Sequence, residues 1–324
     1  MKLKIYITES AGLTAEDESV SPALQRLLAA GQVRFVDEPL PVALCQEFGV
    51  QMQSDWPLAA LSWLGEGNDP EQDYWLRADP VHLALQRDHF SLSGPVPLPL
   101  APQQAELLAA DLNRHFAADG LQFHLGRTES FSGTRWYLRL HAVPELSTFL
   151  PQQALGLDTR PFLPQGEDAQ RWRRLLNEIE MLLHEHPVNQ TREVEGSVAV
   201  NSLWLSAGGI IPHSLTSPCK WVCTDMPLAT GLALATHTAI NRVPADLDVQ
   251  LDRAGGDGIL VLEDAERAEQ RWLAPLLSAL RQRKLQQADL YFGMHNRSLA
   301  VRIHWYDLFR FWRRPRSLGT YFSA

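Results

Sequence analysis

Residues 2–8, KLKIYIT, alternate apolar and polar side chains and favour β-branched types, the period-two pattern of a strand. Ser21-Pro22 then reads as the N-cap and first turn of a helix. Its stripe of Leu24, Leu27 and Leu28 stops at Gly31. Residues 33–36 predict a second strand, and this β–α–β opening predicts a wound sheet. Residues 56–64 predict another helix. From 74 the pattern changes to short strand-like runs at 74–76, 81–85 and 90–92, separated by turn residues. The four prolines of 94–102 predict an extended connection.

Leu107, Leu108, Leu112, His115 and Phe116 share one face of a helix expected over 103–118, with Gly120 as its stop. Strands are expected at 121–125 and 135–141, and 150–166 reads as loop. A second amphipathic helix is expected over 167–185, carrying Trp172, Leu175, Leu176, Ile179, Leu182 and Leu183, with Pro187 ending it. A strand at 202–206 precedes Gly208-Gly209, which suits a turn or a backbone cradle for phosphate. The last third returns to the α/β rhythm. It has a buried-type strand at 258–262, a helix over 265–284, a hairpin of 288–292 with 298–303, and an aromatic, basic helix over 305–313. The change of rhythm predicts an α/β base formed by 1–70 and 166–324, with a smaller α+β domain, 71–165, inserted into it.

Composition narrows the function classes. The chain has 324 residues, 45% apolar and 21% charged, which is ordinary globular usage with room for two moderate domains. A net charge of -9 disfavours nucleic acid and anionic membranes as partners. A small anion needs only a local cluster of Arg and N–H groups. Three cysteines suit a reducing compartment. Cys219 and Cys223 have no second Cys/His pair at zinc-finger spacing and read as small apolar residues. The short apolar N-terminus lacks the form of a signal peptide, no run is long enough to span a membrane, and a cytoplasmic location is expected.

Four segments carry a resemblance. They are 74–83 (YWLRADPVHL), the helix with Asp111-Leu112-Asn113 and its continuation through 120–126 (GLQFHLG), 175–189 (LLNEIEMLLHEHPVN) with Arg192 and Gly196, and 200–204 (VNSLW) with Gly208-Gly209. In this order the chain resembles bacterial phosphoglycerate mutase-like proteins, including regulatory proteins of the RpfE type. More distantly it is similar to archaeal-type cofactor-independent phosphoglycerate mutases. The resemblance implies an alkaline-phosphatase-like wound sheet with an inserted domain. It also implies phosphoryl transfer through a serine, assisted by two divalent metals, Mn or Mg.

Two-metal transfer needs clustered Asp and His ligands. Members of the resembled family carry an Asp-Gly pair after the first strand, where this chain reads Ile7-Thr8-Glu9-Ser10-Ala11-Gly12. Their late Asp-x-x-Gly-His string is not found, so no metal ligands are assigned. The nearest late groups are Asp257, Glu263, Asp264, His295 and His304. Asp264 reads as a ligand at a strand end or as a helix N-cap. Asp79 and His82 are the catalytic candidates, as an Asp–His pair for acid/base work. Arg77, Asn189, Arg192 and Asn201 are the candidate substrate-binding residues, the arginines through a bidentate fork. His184 and His186 read as cations at a helix C-terminus. The tail Phe309-Arg310-Phe311-Trp312-Arg313-Arg314-Pro315-Arg316 mixes aromatic and basic residues, a composition that can bind nucleic acid or a membrane surface and that also reads as a terminal helix packing its aromatics and solvating its arginines. Two functions stay open: a binding or regulatory protein that takes a small phosphorylated metabolite or a protein partner, and a metal-dependent mutase or phosphatase with a rearranged site.

Overall fold

The computed structural model describes residues 1–9, 22–126, 135–253, 255–264, 268–294, 296–310, 312–314 and 321. Its strands are β1 (Lys2–Glu9), β2 (Gln32–Val36), β3 (Tyr74–Leu85), β4 (Phe90–Ser93), β5 (Gln122–Leu125), β6 (Trp136–Leu140), β7 (Ser202–Gly209), β8 (Trp221–Thr224), β9 (Ala239–Asn241), β10 (Gly258–Asp264), β11 (Gln287–Gly293) and β12 (Ser298–His304). Its α-helices are α1 (Pro22–Ala30), α2 (Leu40–Glu47), α3 (Leu58–Gly65), α4 (Pro102–His115), α5 (Pro151–Ala154), α6 (Ala169–His184), α7 (Pro187–Val194), α8 (Pro227–Ala235), α9 (Leu247–Arg253) and α10 (Ala274–Arg281). Among the described residues no helix is long and apolar enough to cross a membrane.

The chain divides into two compact units, one of residues 1–50 with 214–324 and one of 51–213. The first is built on a sheet in the order β2-β12-β11-β1-β10-β8-β9. β1 runs parallel to β10 and β11, while β12 pairs antiparallel with β11 and β2. Strand alternation turns Leu3, Ile5 and Ile7 to one face, where they pack with Leu24, Leu27 and Leu28 of α1 and Leu276 and Leu280 of α10. The mixed α/β character expected from the sequence is present. The helix expected over 265–284 is a π-turn at Glu269–Leu273 followed by α10.

In the second unit β3 is central, with β4 and β6 on the path β4-β3-β6-β5 and β7 also paired to it. Tyr74, Leu76 and Ala78 of β3 meet Leu108 and Leu112 of α4 and Trp172, Leu176, Ile179 and Leu183 of α6. The unit boundaries fall at 50/51 and 213/214 instead of 70/71 and 165/166. α6 and β7 belong with β3, because their apolar faces are buried there and not against the wound sheet.

Several local expectations are corrected. The runs 74–76 and 81–85 are one strand. Pro80 needs no N–H to hold its place, and its carbonyl accepts from Leu98 N at 2.7 Å. Pro187 opens α7 at its first turn, the position that suits proline, and His186 is the N-cap, its Nδ1 accepting from Val188 N at 3.1 Å. Gly208-Gly209 is neither turn nor cradle but the buried end of β7. A β-bulge sits here between the pairs Trp75↔Gly209 and Arg77↔Ser206, and Ala207 takes a φ of 62°. A methyl group on Gly209 would stand 2.8 Å from Pro57 Cα. The tail forms a 3-10 turn, Trp305–Phe309, in place of a longer helix. Ser21 lies outside the described residues.

Candidate functional site

Period-two alternation sends Trp75, Arg77 and Asp79 to the face of β3 opposite the apolar core. Register partners extend that face into a row across four strands: His124 on β5, Tyr137 on β6, Arg77 on β3 and Ser206 on β7. Arg139 pairs with Trp75 in the adjoining row. From α3, Trp63 stacks on Trp75 with ring centroids 4.8 Å apart and tilts against His124 and Tyr137 at 5.4 and 5.1 Å. Glu66, just past α3, accepts from Arg135 Nε at 2.6 Å and from the Tyr137 hydroxyl at 2.7 Å.

Charge is held here under burial. Arg77 donates to Asp79, and its guanidinium lies 5.4 Å from the Tyr137 ring centroid. Burial works against the Arg77 cation, but Asp79, with Tyr137 and Glu66, outweighs it and holds the group protonated. Burial pushes the Asp79 carboxyl above its ordinary range, opposed by Arg77, the Trp136 N–H and Arg135. Burial, seconded by Arg139, lowers the pKa of His124. Arg77 Nε and His124 Nε2 are both buried without a hydrogen-bond partner. The unmet Nε–H is a buried donor beside the Asp79 pair, which a carboxylate or phosphate oxygen would satisfy only by entering this packed face.

The structure brings the regions 77–82 and 189–209 together. β3 pairs with β7 through Asp79↔Trp204, Pro80↔Leu203 and Val81↔Ser202. It does not form the expected Asp79–His82 pair. Residues three apart on a strand face opposite ways. Asp79 is held by Arg77, while His82 Nδ1 lies 2.9 Å from the Ala199 carbonyl.

The other substrate-binding candidates contact main chain. Asn189 donates to the Leu183 and Val200 carbonyls, both at 2.7 Å, and accepts from Val200 N at 2.8 Å. Asn201 closes a paired bond with Leu83, accepting from its N–H at 2.7 Å and donating to its carbonyl at 2.9 Å. Arg192 donates to Val198 and Pro99 carbonyls and to Gln104 Oε1. Asn113 bonds Phe123 N and O in the same way, and His186 Nε2 meets Asp111 Oδ2 at 3.1 Å.

At the carboxyl ends of the parallel strands in the first unit, Glu9 and Asp264 are register partners. The described part of these two residues is main chain. β11 ends beside them at Gly293, shortly before His295, which lies outside the described residues. Among the described residues no group of three or more His, Cys, Asp or Glu is placed to hold a metal ion. Sequence reading named Arg77 and Asp79 but missed Glu66, His124, Arg135, Tyr137 and Arg139. Alternation along 135–139 carries the signal for the last three, once β6 is set beside β3. Glu66, past the end of a helix, carries none.

Comparison with known proteins gives a consistent direction. No family model matches the chain. It is 37% identical over 63 residues to a probable 2,3-bisphosphoglycerate-independent phosphoglycerate mutase of Geobacter sulfurreducens, covering 19% of this chain and 16% of that protein. It is 25% identical over 116 residues to the 2,3-bisphosphoglycerate-independent phosphoglycerate mutase of Methanosarcina mazei, covering 35% and 28%. The matches thus span well under a third of either curated relative. Among solved structures, the PH0037 protein of Pyrococcus horikoshii aligns over 94% of this chain and 87% of its own, with a TM-score of 0.50 and 13% identity. The cofactor-independent phosphoglycerate mutase of Thermoplasma acidophilum aligns over 93% and 89%, with a TM-score of 0.42 and 17% identity. The chain is a distant homologue of the cofactor-independent phosphoglycerate mutases.

Proposed function

From that distant homology, we propose that this chain is a phosphoglycerate mutase-like protein with an alkaline-phosphatase-like base. In this reading it takes a small phosphorylated metabolite at the Arg77 face of the 51–213 unit. It acts in the cytoplasm as a binding or regulatory protein, as the RpfE-type proteins it resembles are named, and not as a two-metal mutase. The observation that carries this reading is Arg77. Its cation is held charged by Asp79 under burial while Nε keeps a free N–H. Arg139, in the adjoining row, is already balanced by Asp73 and Glu71, so Arg77 alone carries the reading. The loss of catalysis rests on the sequence, which has Glu9-Ser10 where active relatives of the resembled family have Asp-Gly, and which has no late Asp-x-x-Gly-His string.

A second reading is favoured by one separate observation. Glu9 and Asp264 stand side by side at the carboxyl ends of adjacent parallel strands, where ligands of open α/β sheets bind. Mn or Mg held there would supply charge for phosphoryl transfer.

Thermal unfolding with 3-phosphoglycerate, with and without Mn, separates the readings. A ligand at about 100 times its dissociation constant adds roughly 2.7 kcal/mol, or about 4 °C in a chain of this length. The binding reading expects a rise with 3-phosphoglycerate alone that Arg77→Gln abolishes. A rise that needs Mn, with turnover lost in Asp264→Asn, would replace it with the metal-dependent enzyme. No shift under either condition would sink both.

A further inference from the structure

The segment 305–314 departs from the packing expected of it. Trp305 and Leu308 turn inward against the core of the first unit. Tyr306, Phe309 and Trp312 are 49%, 61% and 66% exposed. Residues three apart eclipse in a 3-10 turn, so Tyr306 and Phe309 share one side of it.

Hydrogen bonds tie the main chain at 308 and 313 to α1. Arg26 of α1 donates to the Leu308 carbonyl at 2.9 Å and the Arg313 carbonyl at 3.3 Å. Arg313 in return reaches the carbonyls of Ala30 and Gly31, both at 3.3 Å, at the C-terminus of α1. That end of a helix prefers a cation. Arg283 lies over the Trp305 ring at 4.2 Å. The stretch 305–314 contains Arg310, Arg313 and Arg314 against a single acid. That acid, Asp307, is buried, accepting from His304 N and pairing with Arg310. Positive charge is thus local to this surface on a chain of net charge -9.

We propose that this surface docks on an anionic phospholipid bilayer, with Tyr306, Phe309 and Trp312 entering the headgroup layer and Arg310 and Arg314 pairing with lipid phosphates. Exposed aromatics flanked by arginines suit an interface that is apolar on one side and negatively charged on the other. A bilayer is preferred to nucleic acid because its headgroup layer also takes up exposed aromatic surface, and screening confines the electrostatics to this local patch, against the net charge of -9 that disfavours anionic surfaces in general.

Co-sedimentation of the full chain with vesicles tests this. Binding is expected to phosphatidylcholine–phosphatidylglycerol vesicles and not to phosphatidylcholine alone, and to weaken as salt is raised. Phe309→Ser with Trp312→Ser is expected to abolish it. Arg310→Gln and Arg314→Gln are expected to weaken it roughly fivefold each. All four positions are at least partly exposed, and an unchanged unfolding midpoint confirms that the variants fold. Absence of binding to anionic vesicles overturns the proposal. So does binding that the aromatic variant leaves intact. Preferential retention of a DNA or RNA fragment, or dimer formation that the aromatic variant abolishes without vesicles, overturns it in favour of those partners.

Discussion

Arg77 donates to Asp79 from two positions earlier on the same strand, a pair in which the carboxylate is buried and the guanidinium mostly so. Breaking such a pair by removing one partner leaves an uncompensated charge, whereas replacing both with apolar groups need not destabilise. Asp79→Leu alone is therefore expected to lower stability by about 3 kcal/mol. Arg77→Met with Asp79→Leu is expected to recover most of it. Urea unfolding of the two variants checks this, and equal losses would show that the ion pair is not the determinant.

The Asn189 amide bonds three main-chain groups that no other described side chain reaches. Asn189→Ala strands the Val200 N–H and carbonyl in a buried place, at a cost of about 2–3 kcal/mol, while the Leu183 carbonyl keeps the His186 N–H. Asn189→Asp is expected to cost more, since carboxylate oxygens would face two carbonyls. A variant of wild-type stability would free Asn189 for a ligand role.

His124 titrates with a defined sign. Burial, with Arg139 beside it, lowers its folded pKa below the ordinary 6.5. The unfolded chain then binds the proton more readily. The stability this gives is present above about pH 6.5 and is lost as pH falls toward the depressed folded value. His124→Gln is expected to flatten that part of the pH–stability curve, read as unfolding midpoints over the acid range. An unchanged slope would assign the acid sensitivity elsewhere.

Gly209 ends β7 against Pro57. Its added methyl would lie 2.8 Å from Pro57 Cα, a backbone atom unable to step aside. Gly209→Ala is expected to cost about 1–3 kcal/mol through overpacking. The same substitution at Gly196, where nothing lies within 4 Å, carries only the penalty of its positive φ of 72°. Comparing the two by thermal unfolding separates a packing demand from a conformational one.

The sequence pattern made β1, α1, the 258–262 strand and the hairpin of β11 and β12 legible, because each has its own period and stop signals. Three features escaped it. Pro80 interrupts a strand pattern locally, but β7 pairs alongside and carries the strand through. Pro187 ends one helix by opening the next, and only the His186 cap distinguishes the two roles. β8, of four residues, is too short for a period, and α8, PLATGLALA, has apolar or small residues nearly all round and so shows no stripe. In the site, motif strings drew attention to Asn189 and Asn201, whose contacts are with main chain. The charged face around Arg77 needs the register of four strands, which no local window contains.

β1 is flanked by β10 and β11, and its Lys2 N–H bonds Asp257, 255 residues later. By contrast every strand paired to β3 lies within 51–213. On a growing chain, the unit of 51–213 therefore has all its partners long before β1 has either of its own. Closing the distance to β10 carries a loop entropy that the intervening unit shortens once folded. Assembly order is thereby written into the topology: the interrupting unit matures early, and the central strand of the wound sheet waits unpaired until the last third of the chain arrives.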